Sequence, residues 1–161
     1  GIYFDANNDW LGIRTLSPER VLHVEGDYIF RHNPVSSLGS NKGYGDVVTF
    51  GSGSLTAGRL YYLASSGTWT ATDADAASTS TGMLGIALGS APSDGILVRG
   101  YYSNSTWSFT TGDILYVSQT AGALTNTAPS AAGTVIRIVG YSIDTTSDSI
   151  YFNPSNDWTE N

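Results

Sequence analysis

The stretch from Gly58 to Phe152 reads twice, and this duplication restricts the available folds more than any other feature of the chain. Gly58, Tyr62, Trp69, Gly85, Asp94, Ile96 and Val98 line up with Gly112, Tyr116, Leu124, Gly140, Asp148, Ile150 and Phe152. The spacing is about 54 or 55 residues, with turns and apolar runs in the same order. Thr56–Leu63 opens one copy and Thr110–Val117 opens the other. Each then carries a Gly-bearing turn, a Ser/Thr/Ala-rich loop, a Gly-centred apolar strand and a closing Asp-x-Ile strand, so the copies cover residues 56–100 and 110–154. A solenoid needs three or more such units to bury a continuous core, so two copies are expected to close on each other as one sandwich or barrel.

Composition points the same way. A chain of 161 residues and 17.0 kDa makes one domain, or one domain with a small appendage. Charged residues are only 13%, glycines number 19, and no stretch keeps apolar residues at helical spacing, so an all-β fold with almost no helix is expected. Short antiparallel strands are expected at 47–50, 59–63, 68–71, 83–88, 96–99, 106–109, 114–117, 123–126, 134–143 and 149–152, where β-branched and aromatic residues lie between turn residues. A net charge of -7, with Lys42 the single lysine among scattered arginines, argues against a nucleic-acid partner, which needs clustered cations. The absence of cysteine removes disulfides and thiolate metal sites. No apolar run is long enough to span a bilayer, so no membrane insertion is expected, and a start at Gly1 rather than Met suggests a processed or excerpted chain.

Residues 1–45 differ in texture from the rest. They hold His23, His32, Arg14, Arg20, Arg31 and Lys42, but only two short apolar pieces, Val21–Val24 and Tyr28–Phe30. Such a segment is too thin to fold alone. Ser17-Pro18 enforces an extended or turning backbone, and Ile13, Val21, Leu22, Val24 and Ile29 offer apolar surface to be buried either as an edge on the repeated domain or by copies packed around a symmetry axis. Ser36–Gly45 reads as a linker, with Gly43-Tyr44-Gly45 a flexible connector, and residues 46–161 as the duplicated head. The ends of the chain echo each other: Ile2–Trp10 and Ile150–Trp158 share six of nine positions. The echo reads as a recurring hairpin or, more sharply, as the trace of a tandem array.

Sites for chemistry are sparse. His23 and His32 lack zinc-ligand spacing. Asp5-Ala6-Asn7-Asn8-Asp9 starts like a calcium loop but has Trp10 where glycine is required, and Asp73-Ala74-Asp75 reads as a solvated acidic loop. There is no Gly-x-Ser-x-Gly elbow and no evident acid/base carboxylate pair, so no catalytic residues, metal or cofactor are expected. Aromatic residues remain. Tyr101, Tyr102, Trp107 and Trp69, with Asn104, are candidates for stacking on a sugar or a protein receptor; Tyr101 to Asn104 break the repeat symmetry, because Ser155 and Asn156 fall at the matching place.

Leu11 to Gly26, reading Leu-Gly-Ile-Arg-Thr-Leu-Ser-Pro-Glu-Arg-Val-Leu-His-Val-Glu-Gly, resembles a segment that recurs in bacteriophage tail fibres and related trimeric fibrous proteins. It departs from that pattern at Arg14, where glycine is usual. Asp46–Phe50, Ser80–Leu88 and Tyr151–Trp158 look like the C-terminal domain of phage fibre-like structural proteins, and Gly112–Tyr116 more loosely resembles small β-barrel capsid decoration proteins. The resemblance implies a non-enzymatic virion protein, the distal part of a homotrimeric tail or collar fibre, with other virion proteins and a host-surface glycan or protein as partners. Three alternatives stand beside it: a capsid decoration or head-fibre protein, a carbohydrate-binding module of a bacterial surface protein, and a subunit of a strand-exchanged filament.

Overall fold

The computed structural model describes residues 1–18, 21–27, 29, 31, 40–144 and 148–161; the expectations placed on Arg20, Tyr28, Phe30, His32 and 36–39 lie outside these. The chain divides into two compact units, Gly1–His32 and Asn33–Asn161, and is all-β, as expected, with a curled antiparallel half-barrel sheet and smaller sheets.

In the first unit, β1 (Ile2–Asp5) and β2 (Trp10–Ile13) form a hairpin, and β3 (Leu22–Val24) adds in parallel to β2. Asp5 builds the turn: its carboxylate accepts from the Asn7 N–H and from the Asn8 side chain, both at 3.0 Å. Three short strands bury little. Ile2, Phe4, Leu16, Val21, Leu22 and Ile29 remain exposed.

The second unit is built on the repeat. Copy one supplies β5 (Leu60–Leu63), β6 (Trp69–Ala71), β7 (Leu84–Ala87) and β8 (Ile96–Ser103). Copy two supplies β9 (Ile114–Val117), β10 (Leu124–Thr125), β12 (Ile138–Asp144) and β13 (Ser149–Phe152), with β11 (Val135–Ile136) just before β12. The sheet order β6-β5-β7-β8 is repeated as β10-β9-β12-β13, and the copies join where β8 pairs antiparallel with β13. Individual bonds recur too. The Leu63 N–H donates to the Met83 carbonyl at 2.9 Å, and the Val117 N–H to the Arg137 carbonyl at 3.2 Å. Gly85 and Gly140 are equivalent: a Cβ on either would run into the neighbouring strand at Ile96 and Tyr151 respectively.

One core serves both copies. Leu60, Leu84, Ile86 and Leu97 meet Leu115, Val117, Val139, Ile150 and Phe152. Two units therefore suffice, because each covers an apolar face of the other. A second cluster of Leu55, Tyr61, Trp69, Ala87 and Ile96 uses residues that alternate with the first along β5 and β8. On β8 a bulge at Val98, between the pairs Asp46/Arg99 and Val47/Leu97, resets the alternation so that both Leu97 and Tyr102 enter the shared core.

Three expectations need correction. Lys42–Gly45 is not linker: it begins β4 (Lys42–Val48), paired along the whole of β8, because the glycines let two backbones approach where side chains would collide. Thr106–Phe109 is not a strand; Asn104 Oδ1 accepts from the Thr106 N–H and hydroxyl, and the turn sends Trp107 onto Tyr102 and Phe109 onto Trp107. The C-terminal echo is not a second hairpin. After β13, the Asn153 and Ser155 N–H groups donate to Val139 and Ile138, and β14 (Thr159–Glu160) pairs with β11. The only regular helices among the described residues are α1 (Ala77–Ser80) and a single 3-10 turn, Pro92–Asp94.

Candidate functional site

Strands β4, β8, β13, β12 and β9 lie side by side, and their registers align one residue from each. Tyr44 is opposite Tyr101, Tyr101 opposite Tyr151, Tyr151 opposite Tyr141, and Tyr141 opposite Ile114. Directly opposed residues share a face, so four tyrosines and an isoleucine form one row of about 19 Å across the sheet. The neighbours in sequence, Tyr102, Ile150, Phe152 and Leu115, point into the core, which puts the row on the outer face. Ring centroids are 5.5 Å apart for Tyr44 and Tyr101, and 5.2 Å for Tyr101 and Tyr151, with tilts of 48° and 43°. Desolvation, and then the neighbouring Tyr101, pushes the Tyr44 phenol above its ordinary pKa. Tyr141 and Ile114 are the exposed end, at 45% and 40%.

Beside the row, two residues further along the same strands, lie Asp46, Arg99 and Asn153. The Arg99 guanidinium donates to the Asp46 carboxylate at 2.7 Å, and both side chains are largely exposed. With Asn156, Met83 and Arg137 they line a cleft of about 600 Å³. The cleft sits where the copies meet. The β8–β13 ladder ends with Gly100 opposite Phe152, next to Arg99 and its repeat counterpart Asn153. Arg137 is only 4% exposed; its Nε donates to the Ser155 carbonyl at 2.8 Å and its Nη1 to the Ser80 and Gly82 carbonyls at 2.8 and 2.7 Å. Burial lowers its pKa from the ordinary arginine value, yet a guanidinium stays charged.

The residues singled out in the sequence separate in the structure. Tyr101 belongs to the row, between Tyr44 and Tyr151. Tyr102 and Trp69 are buried, at 0% and 2%, and stack on no ligand; Trp69 lies in the second core cluster, donating from Nε1 to the Phe50 carbonyl at 2.8 Å. Asn104 and Trp107 line a separate cleft of about 380 Å³ with Asn41, Arg59 and Thr106. The Tyr102 hydroxyl beneath has no hydrogen-bond partner among the described residues. Of the apolar residues assigned to self-association, Val21, Leu22 and Ile29 are exposed, while Ile13 and Val24 are half-buried. The sequence does not single out Tyr44, Tyr141, Tyr151 and Arg137: the tyrosines are aligned by registers between distant strands, and Arg137 stands out only as a mismatch with Met83 of the first copy.

The acidic loops serve local structure. Asp73 Oδ1 accepts from the Asp75 N–H and the Thr79 hydroxyl, and Asp75 accepts from Gln119. Among the described residues no group of three His, Cys, Asp or Glu is placed to hold a metal, and no helix is long and apolar enough to cross a membrane. What the row and its cleft provide is an aromatic surface beside amides and guanidinium groups, suited to stacking and directional hydrogen bonding. Comparison with known protein families, curated proteins and solved structures finds no match to this chain.

Proposed function

We propose that this chain is a non-enzymatic structural protein of a bacteriophage virion, the distal part of a homotrimeric tail or collar fibre, whose head attaches to the host surface through the tyrosine row. The observation that carries the reading is the exposure of Ile2, Phe4, Leu16, Val21, Leu22 and Ile29 on and around the three short strands of the unit Gly1–His32. A sheet so thin leaves its apolar side chains in water unless other copies cover them. Closed cyclic symmetry supplies that cover.

Two further features support it. The Leu11–Gly26 segment resembles those of trimeric fibres, and Arg14 adopts φ +63°, the left-handed conformation that the usual glycine takes freely. A multivalent assembly also makes weak surface contacts effective, since each additional head binds at high local concentration. The tyrosine row favours a glycan as the surface ligand, because sugars present apolar C–H faces that stack on aromatic rings. The same row would serve a monomeric glycan-binding module, and self-association separates the two readings. The test is adsorption of the labelled protein to bacterial cells and to their extracted surface polysaccharide. Binding that Tyr101→Ala abolishes and Tyr141→Ala weakens supports attachment through the row; undiminished binding by both variants contradicts it.

A further inference from the structure

We propose that the cleft beside the tyrosine row binds a carboxylate, so that the glycan taken by the row is an acidic one, of the uronic or sialic acid type. This rests on the row being a glycan platform, and it names the chemistry that the platform selects.

The argument starts from the repeat. Equivalent backbone bonds, Leu63 to Met83 and Val117 to Arg137, show that Arg137 occupies the position held by methionine in the first copy. Arg99 likewise stands where the second copy has Asn153. Both departures from the repeat face one cleft, and both introduce a guanidinium. Arg99 already has its counter-ion in Asp46. Arg137 has none among the described residues. Its Nε and Nη1 are held by three backbone carbonyls, which are neutral. A charge that is 96% removed from water, judged from the 4% exposure of Arg137, and lacks an anionic partner is unfavourable unless an anion arrives.

The surroundings define that anion. Arg137 is clamped between Ser80 to Gly82 and Ser155, and neighbours of both segments, Thr81, Met83, Pro154 and Asn156, form the cleft walls. The guanidinium therefore lies at the floor, with its donors in a fixed plane, the geometry that matches a carboxylate. Asn153 and Asn156 offer amides to hydroxyl groups. Tyr44, Tyr101 and Tyr151 lie two residues away on the same strands as Asp46, Arg99 and Asn153, about 7 Å along the sheet. A sugar whose carboxylate enters the cleft thus places its ring, or the next ring, on the aromatic row.

The test is a ¹H–¹⁵N titration of the full chain with methyl glycosides of N-acetylneuraminic acid and glucuronic acid, each compared with its methyl ester and with neutral methyl glucoside. We expect the acids to bind about tenfold or more tightly than the esters, a preference that salt weakens, with shifts at Arg137, Asn153 and Asn156. Arg137→Met, which installs the residue of the first copy, should remove the preference while neutral sugars still shift the tyrosine row. Equal binding of acids and esters by the unmodified protein overturns the carboxylate site and leaves the glycan platform intact. Failure of every sugar to shift the row overturns both.

Discussion

Gly45 and Gly100 oppose each other across β4 and β8, so closely that a Cβ on Gly45 would lie 2.7 Å from the Gly100 Cα. Both have positive φ, +146° and +147°. The close approach brings the strands that carry Tyr44 and Tyr101 into register immediately beside the cleft. Gly100→Ala is expected to cost about 2–4 kcal/mol, from steric conflict plus a forced backbone conformation. Gly112 also has positive φ but open space around its Cα, so Gly112→Ala should cost only about 1 kcal/mol. Denaturant midpoints of the two variants check the contrast.

Removing Tyr101 should uncouple binding from folding only in part. Its ring packs against Tyr44 and Tyr151, and aromatic pairs contribute about 0.5–1.5 kcal/mol each, so Tyr101→Ala should lower stability by about 1–3 kcal/mol as well as abolish surface binding. Tyr141, at the exposed end, offers the cleaner test. Tyr141→Ala should change stability by about 0.5 kcal/mol or less while weakening binding, as measured by thermal melts beside adsorption assays.

The Tyr102 hydroxyl is buried without a partner among the described residues, and desolvation pushes its pKa up to about 12. An unsatisfied buried hydroxyl is costly, so Tyr102→Phe should stabilise the fold, by about 1 kcal/mol. Because the folded-state pKa lies above the unfolded one, the folded chain holds this proton while the unfolded chain releases it. Stability should therefore fall as pH rises from about 10 towards 12, and the phenylalanine variant should lose less of it over that range. Chemical denaturation across alkaline pH measures both effects.

Acid should act through three turn aspartates. Asp5 is held below the ordinary carboxylate value by the Asn8 side chain and then the Asn7 N–H, Asp94 by the Ala91 and Ser90 N–H groups, and Asp113 by the Asn126 side chain and then the Thr110 N–H. Depressed folded-state values mean that the stabilisation is complete above the unfolded pKa, about 3.9, and is lost as pH falls through the lower folded values. Asp113→Asn should flatten part of this acid loss in a pH series of unfolding curves, and should lower stability near neutral pH.

The repeat was legible because its signals are local: Gly-Arg-Leu-Tyr-Tyr-Leu and Gly-Asp-Ile-Leu-Tyr-Val each mark a turn followed by a strand, and both form one. Strand β4 was hidden because Gly43 and Gly45, which allow its close pairing with β8, read as loop residues. Tyr101 and Tyr102 were not separable by sequence. Their faces depend on the bulge at Val98, and a one-residue shift exchanges core for solvent. The tyrosine row was invisible for a related reason: Tyr44, Tyr101, Tyr141 and Tyr151 are aligned by registers between distant strands, which no local pattern encodes. Arg137 could be found only as a mismatch between the copies, once the backbone bonds had shown which residue it replaces.

The most direct test of the fibre account is the absolute mass of the 161-residue chain by light scattering after size exclusion, measured beside the Val21→Glu/Leu22→Glu double variant. The account predicts about 51 kDa, three times 17.0 kDa, for the unmodified chain, and dissociation of the variant with its head still folded. A monomeric mass for the unmodified chain would contradict it.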